Sequence, residues 1–213
     1  MIEIKNLCKN YGQLKIYDNF NLDLFEGEIT CILGESGSGK TTFLNCIARL
    51  TDFKGQIPVL KCAYVFQTPR LVPNLTVCGN LKLVCKNDNL IDSMLKRVNL
   101  TEKKNEFPIA LSGGQAQRVS LARAFLYGGD IILMDEPFSS LDLKLKAEIS
   151  KLFKDVLISV NGTALFVTHD VDEAINIAQR IIVIRQGEAA LDIRTDENDK
   201  SALREKLVSV LIA

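Results

Sequence analysis

Eight consecutive residues, Gly34-Glu35-Ser36-Gly37-Ser38-Gly39-Lys40-Thr41, satisfy every fixed position of the pattern G-x-x-x-x-G-K-[ST]. Glycines at these places let the main chain curl so that successive N–H groups point inward, and the tip of the following helix adds partial positive charge. Lys40 then neutralises the outer phosphates, and Thr41 is placed to ligate Mg²⁺. The chemistry this spacing predicts is the cradling and hydrolysis of Mg·ATP. A second reactive pair ends the apolar run Ile131-Ile132-Leu133-Met134-Asp135-Glu136. An open α/β sheet binds its ligands at the C-terminal ends of parallel strands. There Asp135 suits a hold on Mg²⁺, and Glu136 suits orienting and deprotonating the attacking water. A plainer reading, acids that end a strand and cap the turn at Pro137, weakens beside a phosphate loop.

Leu111-Ser112-Gly113-Gly114-Gln115 opens a stretch with apolar residues at Ala116, Val119, Ala122 and Leu126. Ser112 at the N-cap and Gln115 at the third helical position make a capping box, which accounts for those two residues. It does not account for two glycines where they weaken the helix; glycines there let a phosphate approach bare N–H groups.

Leu-Ser-Gly-Gly-Gln lying downstream of a phosphate loop and upstream of an apolar-Asp-Glu strand resembles the signature motif of ABC-type ATPases, and the match covers nearly the whole chain. The resemblance implies further roles. Tyr11, followed by Gly12, sits where the family stacks an aromatic residue on adenine; Gln67 sits where a glutamine touches Mg²⁺ and the lytic water. Ser139-Ser140-Leu141-Asp142 is similar to the dimer-contact loop, which would turn Asp142 toward a partner subunit. His169 corresponds to the histidine at the γ-phosphate, and Thr42 joins the nucleotide-contacting set. The implied assembly is a head-to-tail dimer with a second copy or a similar ATPase subunit, in which Ser112, Gly113, Gly114 and Gln115 of one protomer cover ATP held by the other. Transmembrane permease subunits and a solute-binding protein complete it, and the chain would lie peripherally on the cytoplasmic face of the membrane. Residues 68–77 would help receive a permease helix, and the nitrate, sulfonate and taurine importers are the branch this stretch resembles.

Short apolar runs at residues 28–33, 63–66, 131–134, 164–168 and 181–184 read as strands buried on both faces. Helical spacing follows several, with Phe43, Leu44, Ile47 and Leu50 after the first and Val171, Ala174, Ile175 and Ala178 after the fourth. The expected fold is α/β: a P-loop NTPase core with a mainly parallel sheet, an antiparallel β edge (alternating Ile2, Ile4, Leu22 and Leu24) and an inserted helical subdomain. Residues 1–67 and 129–213 are expected to form the core and 68–128 the helical part, with residues 201–213 as a terminal helix. Between Arg49 and Gln67 the chain is short for an importer ATPase, which predicts a trimmed edge hairpin. No regulatory extension is expected. Asp170 and Glu173 read as their own capping box.

The bulk properties set limits. The 213 residues, about 1.4 times the usual domain length, suggest one domain with an appended lobe. Twenty-six basic and 26 acidic residues cancel, so no broad field draws the chain to nucleic acid. There is no signal-peptide pattern and no apolar run of membrane-spanning length. The six cysteines, Cys8, Cys31, Cys46, Cys62, Cys78 and Cys85, show no metal or redox spacing and read as small buried hydrophobes. Two rival readings share the phosphate loop, a P-loop kinase for a small metabolite and an ABC-type protein acting on DNA or ribosomes. The signature run argues against the first; the lack of a long coiled-coil insertion or a second ATPase unit argues against the second.

Overall fold

The computed structural model describes residues 1–139, 141–195 and 199–212. Side chains along a strand alternate between faces, so each near-continuous apolar run feeds two cores. From β3 (Ile29–Leu33), Ile29, Cys31 and Leu33 join Met134, Phe166, Ile181 and Val183 on one face. Ile32 joins Leu133, Leu165, Val167 and Ile182 on the other. These neighbours belong to β6 (Ile131–Asp135), β7 (Ala164–Thr168) and β8 (Arg180–Arg185). With β5 (Cys62–Val65) and β9 (Glu188–Arg194) they make a six-stranded sheet of order β5-β6-β7-β3-β8-β9, parallel except for the β9 edge.

A separate antiparallel sheet has the order β2-β1-β4, from β1 (Ile2–Tyr11), β2 (Leu14–Leu24) and β4 (Lys54–Gln56). Ile2, Ile4, Leu22 and Leu24 are all buried, as their alternation predicts. β4 is three residues long, so this edge is as short as expected. Helix α1 (Lys40–Ile47) packs Phe43, Leu44 and Ile47 between the two sheets. Leu50 departs from the expected helical face. Arg49 has φ 55°, which turns the chain left-handed after Ala48, and Leu50 lies outside the helix with 60% exposure.

The other face of the large sheet carries α5 (Leu143–Ser159), α6 (Val171–Ile177) and α7 (Lys200–Ile212), through Ile149, Phe153, Ala174, Leu203 and Leu207 among others. Between β5 and β6 run α2 (Val77–Lys82), α3 (Asp88–Arg97) and α4 (Gly113–Tyr127), with single 3₁₀ turns at Thr101–Lys103 and Pro108–Ala110. Val77, Leu81, Ile91 and Leu95 form their own cluster with Val119 and Ala122 of α4. Leu121 and Ala124 of α4 instead enter the sheet core. α4 therefore belongs to both cores. Of the cysteines, Cys31 and Cys46 are buried; Cys8, Cys62, Cys78 and Cys85 are only half-buried, which corrects the uniform expectation. Among the described residues no helix is long and apolar enough to cross a membrane.

Candidate active site

Strand order decides which chain segments meet. β3, β7, β6 and β5 are neighbours and parallel, so Leu33, Thr168, Asp135 and Val65 end along one edge of the sheet. The segments leaving those ends are the phosphate loop, His169, Glu136 and Gln67. This is the edge at which open α/β sheets take their ligands.

The loop joins β3 to α1 with Gly37 at φ 85° and Gly39 at φ 99°, angles that a side chain resists. The Ser38 N–H donates to Glu35 O at 3.2 Å. Beneath it, the Tyr17 hydroxyl donates to Gly39 O at 3.0 Å, and the Tyr17 ring packs against Phe20 and Phe43. Tyr17 is fully buried and was not legible as a loop support, because its partner is a carbonyl 22 residues away. A Cβ on Gly34 would lie 2.6 Å from Ile184 O of the neighbouring strand. Gly34→Ala is therefore expected to cost about 1–3 kcal/mol of folding stability, since main chain must move to admit it. Denaturant unfolding checks this; an unchanged midpoint would show that β8 yields freely there.

Lys40 is 5% exposed, and its Nζ donates to Gly34 O and Glu35 O, both at 2.7 Å. An ammonium has three donors, so one N–H remains for a ligand. Burial pulls its pKa below the usual lysine range, against the opposing pull of Glu136 and Asp135. Thr41 Oγ1 donates to Asp135 Oδ1 at 2.8 Å. Burial raises the Asp135 carboxyl above the usual range, and the Thr41 hydroxyl works against that rise. A cavity of about 220 Å³ over the loop is lined by Ile16, Ser36, Gly37, Gly39, Lys40, Thr41, Thr42 and Glu136.

Glu136, at φ 43°, follows β6 in a left-handed turn fixed by its N–H donating to Val167 O at 3.0 Å. Its Oε1 is 3.2 Å from His169 Nδ1, and its Oε2 accepts from Gln67 Nε2 at 3.4 Å. Gln67 Nε2 also donates to Ser139 Oγ at 3.2 Å. Two side chains from the ends of β7 and β5 thus converge on the carboxylate that follows β6.

The remaining expected residues lie elsewhere. Tyr11 is 50% exposed with Lys9 Nζ 4.6 Å from its ring centre, and Ile16, which the sequence did not single out, lines the cavity instead. Ser112 and Gln115 form the capping box in full: the Gln115 N–H donates to Ser112 Oγ at 3.3 Å and the Ser112 N–H to Gln115 Oε1 at 3.0 Å. Gly113 is open to solvent, but Gly114 is buried, and a Cβ there would meet Leu145 Cδ2. The second glycine thus has a packing reason within its own chain, which the phosphate-approach argument overlooked. Asp142 caps α5, accepting from the Leu145 N–H at 3.0 Å, and is exposed; Ser140 lies outside the described residues. The capping box expected at Asp170 and Glu173 is only half formed. Asp170 Oδ1 accepts from the Glu173 N–H at 3.1 Å, but the Glu173 carboxylate takes the Thr168 hydroxyl instead of the Asp170 N–H.

Glycine turn, buried lysine and strand-end carboxylates on a parallel sheet define a P-loop nucleoside triphosphatase. The family model described as ABC transporter matches residues 17–139. The aliphatic sulfonates import ATP-binding protein SsuB 2 of Pseudomonas savastanoi pv. phaseolicola is 39% identical over 201 residues, 92% of this chain and 75% of the relative. The Fe(3+) ions import ATP-binding protein FbpC of Fusobacterium nucleatum is 39% identical over 208 residues, 88% of this chain and 56% of the relative. The dimeric MJ0796 bacterial ABC transporter cassette superposes with a TM-score of 0.81 at 32% identity, covering 92% of this chain and 99% of that one. The same cassette in a post-hydrolysis state bound to ADP and Pi gives 0.80 at 31% identity over the same shares.

The chain belongs to the ABC transporter family, as an ATP-binding subunit that hydrolyses ATP to power an import transporter. Such subunits bind ATP with Mg²⁺, dimerise and pair with permease subunits. The residues present suit these ligands. Thr41 and Asp135 offer the oxygen donors a hard cation prefers, and among the described residues no cluster of three His, Cys, Asp or Glu forms a self-sufficient cage. Mg²⁺ characteristically takes one or two protein oxygens and completes its shell with phosphate and water.

Proposed function

We propose that Glu136 is the general base of the ATPase and that Gln67 and His169 hold it and the attacking water in line with the γ-phosphate. The observation that supports this reading is the convergence of His169 Nδ1 and Gln67 Nε2 on the two oxygens of Glu136, beside the loop bearing Lys40. Main-chain N–H groups of residues 34–39, the Lys40 ammonium and the hydroxyls of Thr41 and Thr42 grip the triphosphate. Adenine stacks on the exposed ring of Tyr11, beyond Ile16 at the wall of the phosphate cavity. Thr41, Asp135 and Gln67 would hold Mg²⁺, which would supply positive charge to the phosphates. Ser112, Gly113, Gly114 and Gln115 of a second copy close over that nucleotide, and Asp142 lies in the seam between the two. In one protomer Ser112 and Gly113 are exposed, as this requires. We assign residues 1–67 and 129–213 to the catalytic core and 68–128 to the helical subdomain.

The transporter imports a small organic anion, of which an aliphatic sulfonate is the first candidate; it uses a solute-binding protein, and the chain sits on the cytoplasmic face of the membrane. Similarity to the sulfonate import subunit supports that substrate, whereas the ferric-ion import subunit is the main competitor. ATP-driven uptake into proteoliposomes containing the chain and its permease decides between them. Uptake of ferric ion but not of an alkanesulfonate would overturn the assignment.

Arg70 is exposed, with its guanidinium 3.8 Å from the Phe66 ring centre and its carbonyl accepting from Arg123 Nη2 at 2.7 Å. It stands three residues after Gln67, where a permease segment would sense the site. In Arg70→Glu, ATP hydrolysis by the isolated subunit is expected to stay within about twofold, while uptake falls by about tenfold or more, because a rim charge governs docking. Unaffected uptake in vesicles would remove Arg70 from the coupling surface.

A further inference from the structure

We infer that Lys146, in the first turn of α5, is a positioning residue for His169 in ATP hydrolysis. The inference rests on the reading of His169 given above.

His169 stands between two residues that are themselves tethered. On one side Thr168 is buried and its hydroxyl donates to Glu173 Oε2. On the other, the Asp170 N–H donates to Thr168 Oγ1 at 3.1 Å, and Asp170 Oδ1 accepts from the Glu173 N–H at 3.1 Å. Two carboxylates, Asp170 and Glu173, therefore brace the two neighbours of the histidine. Like charges so close repel unless one of them takes up a proton or a cation lies between them. Lys146 is that counter-ion, with Nζ 2.6 Å from Asp170 Oδ2 and 3.5 Å from Glu173 Oε2. The Glu173 side chain is 3% exposed and its Oε1 has no hydrogen-bond partner among the described residues, so little water reaches it to replace a lost cation. The Lys146 side chain itself is 18% exposed, which separates this cluster from surface pairs of negligible worth.

Lys146 also ties this brace to other parts of the site. Asp142 caps the helix that carries it, and the adjacent Leu145 packs on Gly114 at the tip of α4. A movement of that tip or of the Asp142 loop therefore reaches the histidine through one turn of α5. Without the ammonium, Asp170 is driven toward water away from Glu173, and the main chain at His169 follows. The 3.2 Å contact of its Nδ1 with Glu136 is what that shift removes.

His169 is the sole histidine of the chain, so in tag-free protein its imidazole gives one set of NMR resonances. In the wild type, Glu136→Gln shifts those resonances through the direct contact. With Lys146→Met the shift on Glu136→Gln is expected to drop below about half, as coupling across a broken network does. In the ATPase assay the same variant loses about tenfold in kcat with an unchanged KM for ATP, the pattern of misplaced catalytic groups with intact nucleotide binding. Lys146→Arg restores kcat to within about threefold, because the cation is back. Asp170→Asn keeps the helix cap and removes the like charge facing Glu173, so added to Lys146→Met it restores kcat to within about threefold of wild type and recovers the fold if Lys146→Met alone folds poorly. A normal kcat in Lys146→Met, a lowered kcat that added Asp170→Asn fails to restore, or a lowered kcat with the imidazole response untouched, overturns the inference. Full turnover in His169→Ala would bring down the role of His169 itself, whereas a slow His169→Ala beside an unaffected Lys146→Met brings down only the role of Lys146.

Discussion

Glu136→Gln is expected to bind ATP as the wild type does, to accumulate as a dimer, and to turn over roughly 10²–10⁴-fold more slowly. The amide keeps the shape of the side chain and its place on the left-handed turn at φ 43°, so the fold and the phosphate loop stay as they are. It loses the capacity to take a proton from water held near His169 Nδ1 and Gln67 Nε2. It also removes a negative charge from the neighbourhood of Lys40, which favours binding of a triphosphate. Loss therefore falls on kcat, not on affinity. Phosphate release at saturating ATP measures the rate, and size-exclusion chromatography with and without ATP measures the dimer. Near-normal hydrolysis would remove Glu136 as the base and leave the site with a different proton acceptor.

Lys40→Met produces the opposite division. Methionine fills much of the lysine's volume, but the charge and the donor intended for phosphate are gone, and two loop carbonyls lose their partner. Truncating one member of a buried charged pair costs about 2–5 kcal/mol, or roughly 30- to 4,000-fold in affinity. ATP binding by calorimetry is expected to weaken by at least about 30-fold, with ATP-induced dimerisation lost at ordinary nucleotide concentrations. An affinity within about twofold of wild type would mean that the amides of the loop carry the phosphate without the ammonium. Comparing the two variants separates gripping the substrate from attacking it, because their losses fall on different constants.

Much of the candidate site was legible because its constraints are local. The phosphate loop is eight contiguous residues whose glycine angles, strand exit and helix entry are all settled within a few bonds. The capping box at Ser112 and Gln115 spans one helical turn and forms as its spacing predicts. The strands were legible for a related reason: an apolar run with no polar face must be covered on both sides, wherever it ends up. The reading of Asp170 and Glu173 failed by the same standard. Their spacing satisfies the local rule, but the Thr168 hydroxyl and Lys146 compete for the Glu173 carboxylate from outside the helix.

The amino-acid sequence alone determined the family resemblance, the phosphate loop, the strand-end acids and the parallel α/β class. Only the tertiary structure decided that β7 and β6 follow β3 in the sheet, which brings Gln67 and His169 to the Glu136 carboxylate. It likewise decided that Tyr17 props Gly39, that Ile16 and not Tyr11 lines the cavity, that Gly114 seats Leu145, and that Lys146 braces the neighbours of His169. The physical reason is range. Backbone angles, caps and phosphate amides answer to residues a few positions away, whereas strand order and side-chain partners depend on how separate apolar faces pack, which no short stretch of sequence specifies.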